Sequence, residues 1–292
     1  MALRGVPIEP HAERLARRRA VRVLAAAALA PLLLTPSGCA KALHEPPPLG
    51  DPGPAGASSS PGSVEALLSR AELLYATRNP EEVREAAAVY LEAARAGPGR
   101  VEGLVGAARA RVWLSDHEPD GAERRRAATE AVQAAQWCER TAPASADCAY
   151  WLGAALGVQA RERRSTALDA LPLIERAFQR AASADPNLDE AGPDRALALL
   201  YARAPGWPAG PGDADLAVEH ARKAVSLRPG YPPNHLALAE ALSGAGAPAE
   251  SRAAYERALE MARGWAERGD PDVNEWIREA EQALNPTTSR SP

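Results

Sequence analysis

The chain has few of the residues on which most protein chemistry depends. Among 292 residues there are 3 cysteines, 2 methionines and 1 phenylalanine, and aromatic residues make up only 4%. No glycine-rich phosphate loop, no HExxH and no GxSxG occurs. No histidine lies at ligand spacing from Cys138 or Cys148, and His220 and His235 have no evident carboxylate network, so we interpret both as structural. These absences argue against an enzyme and predict neither a metal site nor a cofactor.

Alternation of apolar and polar residues, the pattern of a half-buried strand, is also missing. The residues that dominate are Ala, Leu, Glu and Arg, which all favour helices, so the sequence predicts an all-α fold. The formal net charge is −4, but the first 38 residues carry +4 and the remainder −8. A mildly acidic body argues against nucleic acid, whose phosphates require a clustered basic face.

One spacing pattern recurs through the chain and is clearest at Ile174, Phe178, Ala181 and Pro186. The same offsets recur four more times, the last without the proline: Ala86, Tyr90, Ala93 and Pro98; Ala131, Ala135, Cys138 and Pro143; Ala217, Ala221, Ala224 and Pro229; Ser251, Tyr255 and Ala258. The closing prolines are 45, 43 and 43 residues apart. This pattern resembles the second helix of the tetratricopeptide repeat (TPR).

The resemblance predicts a right-handed α-solenoid of about five TPR-like helical hairpins over residues 63–285, with a C-terminal capping helix and a loose tail at 286–292. The apolar end of the last repeat is expected to be covered by Trp265, Trp276 and Ile277. The predicted helices are 63–78 and 80–96, 101–115 and 122–141, 147–163 and 166–184, 193–203 and 213–227, 232–244 and 248–268, and 271–284.

The first 39 residues resemble an export signal. Six arginines precede an apolar run over residues 23–34, which is too short and too interrupted by proline to span a bilayer. The run ends at Ser37-Gly38-Cys39, which resembles a bacterial lipobox, although Pro36 stands where that pattern usually has Leu. The alternatives are an ordinary secretory signal with a chance cysteine and, from Arg18-Arg19, a twin-arginine route.

We therefore predict a signal peptide over residues 1–39, with a diacylglycerol on Cys39, and a disordered Pro/Gly/Ser linker over residues 40–62. The protein would be anchored in the bacterial cell envelope and face the periplasm, with the outer membrane favoured over the inner. The two remaining cysteines, Cys138 and Cys148, flank the turn at Pro143. They form either a disulfide or a pair of buried thiols.

Two surfaces are candidates for binding. Repeats two to four exceed the usual 34 residues, and the extra residues lie between the two helices of each pair, so they accumulate along one edge of the stack. The first helices of the pairs line the inner groove. The candidate partner-binding residues of this groove and its rim are Arg109, Trp113, Tyr150, Arg195, Arg203, Trp207 and Glu240.

Trp207 lies in the most unusual insertion, residues 204–213, between three prolines and three glycines. One interpretation is a rigid aromatic presented at a binding rim. The other, which we favour, is a plug that folds back over the end of the helix pair, with Asp213 capping the next helix.

A narrower resemblance rests on the run YWLGAALG at residues 150–157, the Ala184-Asp-Pro ending, Gly192-Pro193 with Arg195, the run at residues 201–205 and Gly212-Asp213. Over residues 63–262 the chain resembles the T component of tripartite ATP-independent periplasmic (TRAP) transporters, although Ala198 stands where that family often has Gly. The resemblance implies a membrane-tethered, non-enzymatic scaffold that associates with a periplasmic solute-binding protein and forms small homo-oligomers in some cases. An assembly scaffold for a cell-envelope or secretion machine, with no small ligand, is the main alternative, and an envelope enzyme of distant residues is a second.

Overall fold

The computed structural model describes residues 41–50 and 61–285. Within these residues the chain forms eleven α-helices and one short 3-10 turn, Arg164–Thr166. The helices are α1 Pro61–Ala76, α2 Pro80–Ala96, α3 Glu102–His117, α4 Gly121–Thr141, α5 Ala146–Glu162, α6 Ala167–Ala184, α7 Leu188–Arg203, α8 Ala214–Leu227, α9 Pro232–Gly244, α10 Pro248–Ala266 and α11 Val273–Leu284. The fold is all-α, as predicted from composition and spacing.

Consecutive helices pack as hairpins, and each hairpin packs on the next. The core consists largely of alanine, which lets helix axes approach closely, and the large side chains at the recurring offsets fill the remaining space. Phe178 on α6 lies so close to Gly153 on α5 that a Cβ at Gly153 would be 2.6 Å from its ring. Tyr90 on α2 blocks a Cβ at Gly106 on α3 in the same way. Pairing a small residue with an aromatic therefore sets the helix spacing.

Helix α7 begins differently from its prediction. The helix starts at Leu188, but Asp189, Glu190 and Ala191 have φ of 48°, 55° and 64°, so this stretch is a left-handed turn before the regular helix. Three consecutive non-glycine residues in this region are strained, and neighbouring groups must hold them. The other helix ends differ from the predicted ones by a few residues at most.

Residues 41–50 also differ from the predicted disordered linker over 40–62. They lie across the outer helices α6, α4 and α2, and we call them the strap. Its backbone carbonyls at His44, Pro47 and Leu49 accept hydrogen bonds of 2.8–2.9 Å from side chains of α4 and α2. Ala42 is 1% exposed and donates its N–H to Asp169 Oδ2 at 2.8 Å. Proline cannot donate a backbone N–H, so this proline-rich segment docks through its carbonyls onto side chains of the solenoid.

Helix α11 covers the end of the stack and also returns to its beginning. Trp276 packs with Trp265 and Tyr231 at ring separations of 5.8 and 5.5 Å, and these rings cover the apolar end of the last repeat as expected. The residue just before α11, Asp272, accepts two hydrogen bonds from Arg78 after α1, at 2.7 and 2.9 Å. The residue that precedes the last helix thus contacts the first repeat.

Cys138 at the end of α4 and Cys148 at the start of α5 form a disulfide, with their Cα atoms 5.3 Å apart. Disulfides persist in oxidising compartments such as the periplasm and are rare in the cytosol. None of the helices in the described residues is long and apolar enough to cross a membrane. The predicted signal peptide with Cys39 and the tail at 286–292 lie outside those residues.

Candidate functional site

The inner face is centred on Arg195 of α7. Its guanidinium donates to Asp189 Oδ2 at 2.8 Å, to Asn234 Oδ1 at 3.0 Å, and to the carbonyls of Asp189 and Glu190 at 3.2 Å. Tyr150 donates its hydroxyl proton to the same Asp189 oxygen at 2.6 Å. Only 13% of the Arg195 side chain is exposed, and its donors are directed at the left-handed turn of α7. Arg195, a predicted ligand-binding residue, therefore bonds to groups of its own chain and stabilises the left-handed turn of α7.

Two residues that the sequence did not single out complete this cluster. Asn234 is fully buried, and its amide donates to the Glu190 carbonyl at 3.0 Å, so it supports the same turn from α9. Tyr231 places its ring 5.2 Å from the Arg195 guanidinium, and burial raises the pKa of Tyr231 to about 12. The inner cluster comprises Tyr150, Asp189, Arg195, Tyr231 and Asn234. Nothing in the local sequence marks Asn234, because its partners lie in other repeats.

Arg109 occupies the inner face nearer the N-terminus. It pairs with Glu72 at 2.5 Å, bonds the Tyr90 hydroxyl at 2.9 Å and lies 4.4 Å from the centre of the Tyr75 ring. An arginine between two tyrosines and one carboxylate makes a cationic, aromatic surface of the kind that accepts carboxylates and flat apolar groups.

Trp113 stacks on His117 with ring centres 3.9 Å apart and planes 7° from parallel. His117 Nε2 lies 3.6 Å from Glu275 Oε2 of α11. Burial alone would lower the pKa of His117, but Glu275 and the Trp113 carbonyl raise it on balance. His117 in turn lowers the pKa of Glu275. This pair is the second contact through which α11 reaches the early repeats.

Arg203 and Glu240 face each other at the C-terminal end of the inner face. Arg203 Nε and Nη2 donate to the two Glu240 oxygens at 2.7 and 2.6 Å, which is the two-bond fork geometry of guanidinium and carboxylate. The Arg203 side chain is 58% exposed. Both predicted residues are thus present on one accessible surface, paired with each other.

The plug interpretation of Trp207 is wrong. The side chain is 90% exposed, although the loop around it is closed by backbone hydrogen bonds. Gly212 N–H donates to the Pro205 carbonyl at 2.9 Å, and Asp213 N–H donates to the Tyr201 carbonyl at 3.0 Å. Asp213 caps α8 as expected, accepting from two backbone N–H groups. The loop is closed by its own backbone, so it has no need of the indole as a plug.

His220 does have a carboxylate partner, contrary to the sequence interpretation. Its Nδ1 lies 2.8 Å from Asp194 Oδ1, and Lys223 Nζ lies 3.1 Å from the other Asp194 oxygen. Burial would raise the pKa of Asp194, but His220 and Lys223 lower it. Tyr201 stacks against His220, so the group joins α7 to α8 as a structural ion pair. His235 bonds the Pro229 carbonyl at 2.8 Å, and this contact is structural.

Across the part of the chain that the structure describes, no cluster of three or more His, Cys, Asp or Glu side chains could hold a metal ion.

The comparisons with known proteins bear on the fold. No protein-family model matches the chain, and no curated protein matches it. Among solved structures, TTC0263, a thermophilic TPR protein of Thermus thermophilus, matches with a TM-score of 0.57 and 21% identity over 76% of this chain and 98% of that one. The fold is that of a TPR protein. The MamA protein matches with a TM-score of 0.44 and 19% identity over 71% of this chain and 96% of that one. YrrB, a TPR protein with an unusual peptide-binding site, matches with a TM-score of 0.42 and 17% identity over 76% and 90%.

Stacked helical hairpins of this kind form an extended concave surface.

Proposed function

We propose that this chain is a lipid-anchored periplasmic scaffold whose inner face binds an acidic segment of a protein partner. The observation that supports the proposal is that this face already holds an acidic segment of its own chain. Asp272 and Glu275, at the start of α11, lie against Arg78 and His117 of the first two repeats. A surface that binds these two carboxylates of its own chain has the chemistry to bind the carboxylates of a partner protein.

The remaining inner-face groups extend this chemistry along the groove. Arg109 sits between two tyrosines, and Arg203 presents a half-exposed guanidinium whose two bonds to Glu240 a partner carboxylate could replace. An exposed ion pair contributes little to stability, so exchanging its carboxylate has a small cost. In this proposal α11 competes with the partner for the N-terminal half of the groove.

The finer identity that we propose is the accessory T component of a TRAP-type transporter, with a periplasmic solute-binding protein as the partner. The disulfide supports an oxidising compartment, and the residues of the T-component resemblance include Tyr150 and Arg195, which meet in the inner cluster. The alternative is an assembly scaffold for an envelope or secretion machine. The two differ in the partner, not in the groove.

The test is site-specific photocrosslinking of the full chain in intact envelopes. A photoreactive residue at Glu72, which is 56% exposed and faces Arg109, reports the inner face. The same residue at Arg252, 63% exposed on α10, is the outer control. We expect one protein to be captured from position 72 and not from position 252, and mass spectrometry identifies it.

The purified partner is then titrated against Arg203→Ala and, as a matched control, Arg252→Ala. The inner substitution should weaken binding by about 1 kcal/mol, a five-fold change in Kd, while the outer one leaves it unaltered. A captured solute-binding protein supports the transporter role, and a secretion component supports the alternative. Capture with equal efficiency from both positions would contradict an inner-face site.

A further inference from the structure

Exposed large apolar side chains are concentrated on one edge of the solenoid. Among the described residues four such side chains are exposed: Leu73 at 74%, Leu168 at 67%, Trp207 at 90% and Leu216 at 37%. The last three lie where the first and second helices of repeats three and four are joined. We call these three residues the apolar edge.

The apolar edge is a built surface rather than three scattered residues. The loop that carries Trp207 rests on α6, because a Cβ on Gly210 would lie 3.0 Å from Leu171 Cδ1. Leu168 lies one turn before Leu171 on that helix, and residues three apart share a helix face. Leu216 lies in the first turn of α8, directly after the loop. The loop thus connects the apolar residues of α6 and α8.

The strap brings the N-terminal part of the chain to this same edge. Ala42 is buried at its start and donates its N–H to Asp169, the neighbour of Leu168 in sequence. Only three peptide units separate Ala42 from Cys39, so they span at most about 11 Å. An acyl chain on Cys39 would therefore enter a membrane within about 11 Å of the Asp169 contact, next to the apolar edge.

The charges beside the edge are mixed: the exposed carboxylates of Asp169, Asp213 and Asp215 lie beside Leu168 and Leu216, and two arginines precede Leu168. Arg163 and Arg164 are exposed in the turn that precedes Leu168, and neither pairs with a carboxylate within the described residues. Basic side chains flanking exposed Leu and Trp are typical of proteins that rest in the interfacial layer of a bilayer, where the indole ring is favoured.

We propose that the apolar edge is the membrane-contacting surface of this protein, with Trp207 and Leu168 in the interfacial layer and Arg163 and Arg164 at anionic head groups. The proposal rests on the acylation of Cys39 proposed above. The strap then fixes the orientation of the solenoid: the turns of repeats three and four face the lipid, and the inner face lies to the side. A lipid anchor alone leaves the solenoid free to rotate relative to the membrane. A second, weaker contact of this kind fixes one orientation.

The test uses the acylated full chain reconstituted in vesicles of phosphatidylethanolamine and phosphatidylglycerol. Single variants Trp207→Cys and Leu168→Cys carry an environment-sensitive fluorophore. The control is Leu73→Cys, at a residue that is 74% exposed but lies away from the edge. Cys138 and Cys148 are bridged and Cys39 is acylated, so only the introduced thiol reacts. We expect nitroxide-bearing lipids to quench the probes at 207 and 168 at least about two-fold more than the probe at 73.

A charge variant, Arg163→Gln with Arg164→Gln, should remove the difference in quenching between anionic and neutral vesicles. Mass spectrometry of the N-terminal peptide is run on the same sample. An acylated chain whose probes at 207 and 168 are quenched no more than the probe at 73 overturns this proposal and leaves the anchor intact. A chain without an acyl group overturns both. Probes shielded only when a purified periplasmic protein is added would make the edge a protein contact and overturn the lipid assignment.

Discussion

The inner cluster and the apolar edge present opposite uses of aromatic and charged residues. In the inner cluster both terminal nitrogens of Arg195 donate to internal acceptors, and Tyr150 is buried. At the apolar edge Trp207 is 90% exposed on a loop that closes without it. The lesson is that the residue types favoured for binding, Arg, Tyr and Trp, mark a contact surface only where the fold leaves them accessible.

Removing the guanidinium of the inner cluster should have the largest effect on this contrast. Arg195→Ala leaves the carbonyls of Asp189 and Glu190 and the Asp189 carboxylate with fewer donors, and the left-handed turn loses its main support. We expect a loss of about 3 kcal/mol in the free energy of unfolding, measured by urea denaturation. Arg252→Ala, an exposed residue of α10, should change it by less than about 0.5 kcal/mol. Unchanged stability with lost partner binding would make Arg195 a contact residue after all.

The disulfide lies where two consecutive repeats are joined, on the side of the stack opposite the apolar edge. Its removal should have the next largest effect. The double variant Cys138→Ala with Cys148→Ala opens a short loop, so the unfolded chain gains freedom and stability should fall by about 2 kcal/mol. Chemical unfolding of the oxidised wild type and of the variant gives the difference. The wild type treated with reductant should behave like the variant, and equal midpoints for all three would contradict a stabilising bridge.

A smaller change tests the contribution of the Tyr150 hydroxyl apart from that of its ring. Tyr150→Phe keeps the packing against Phe178 but removes the 2.6 Å bond to Asp189. We expect about 1 to 2 kcal/mol of destabilisation in thermal or urea unfolding, since a hydrogen bond to a carboxylate is lost. The same free energy of unfolding as in the wild type would show that the Asp189 carboxylate is satisfied by Arg195 alone.

The contact between α11 and the second repeat should depend on pH. The folded-state pKa of His117 is raised, so its contribution is complete below the unfolded value of about 6.5 and is lost as pH rises through the folded value. The pKa of Glu275 is lowered, so its contribution persists above its unfolded value and falls only in acid. Besides Glu275, Asp116 also favours the charged His117.

Amide hydrogen exchange, corrected for intrinsic rates, should therefore show α11 better protected near pH 5.5 than near pH 8.5. His117→Gln should remove that difference and leave the protection of α9 unchanged. A pH dependence that survives in this variant would assign the effect to another group.

The apolar edge should give the smallest stability effect of all. Trp207→Ser and Leu168→Ser remove side chains that are mostly in solvent, so each should change the free energy of unfolding by less than about 0.5 kcal/mol. A loss of more than about 2 kcal/mol from Trp207→Ser would mean that the indole packs inside the protein, which would remove the contrast between the two regions.

The local part of this architecture could be predicted from the sequence, and the long-range part could not. Proline, glycine and the recurring small and aromatic residues place the helices to within a few residues, because caps and hairpin packing depend on neighbours in the chain. The α11 contact with Arg78 joins residues 194 positions apart, and no local pattern encodes it. The strap was missed for the same reason: Pro-rich composition indicates that it forms no helix, but not that Trp137 and Arg95 offer donors to its carbonyls.

The exposure of the predicted site residues could not be read from the sequence where one residue type serves two purposes. Arg195 and Arg203 are both arginines on α7, yet the first is 13% exposed and the second 58%. Spacing places both on the inner face, but only the fold decides which is covered by Tyr231 and the turn of α7. The loop at 204–213 is ambiguous in the same way, since its prolines and glycines are consistent with either a buried or an exposed indole.

The bond between Arg78 and Asp272 changes how this solenoid would come apart. An open array of repeats can lose its terminal hairpins first, because each end has only one neighbour. Here the two ends hold each other, with Arg78 donating twice to Asp272 across the inner face. Fraying of one end would break these two bonds, so we expect the opening of the first repeat to be coupled to that of the last. In a repeat protein closed in this way neither terminal repeat is weakly held, so the chain should unfold as one cooperative unit.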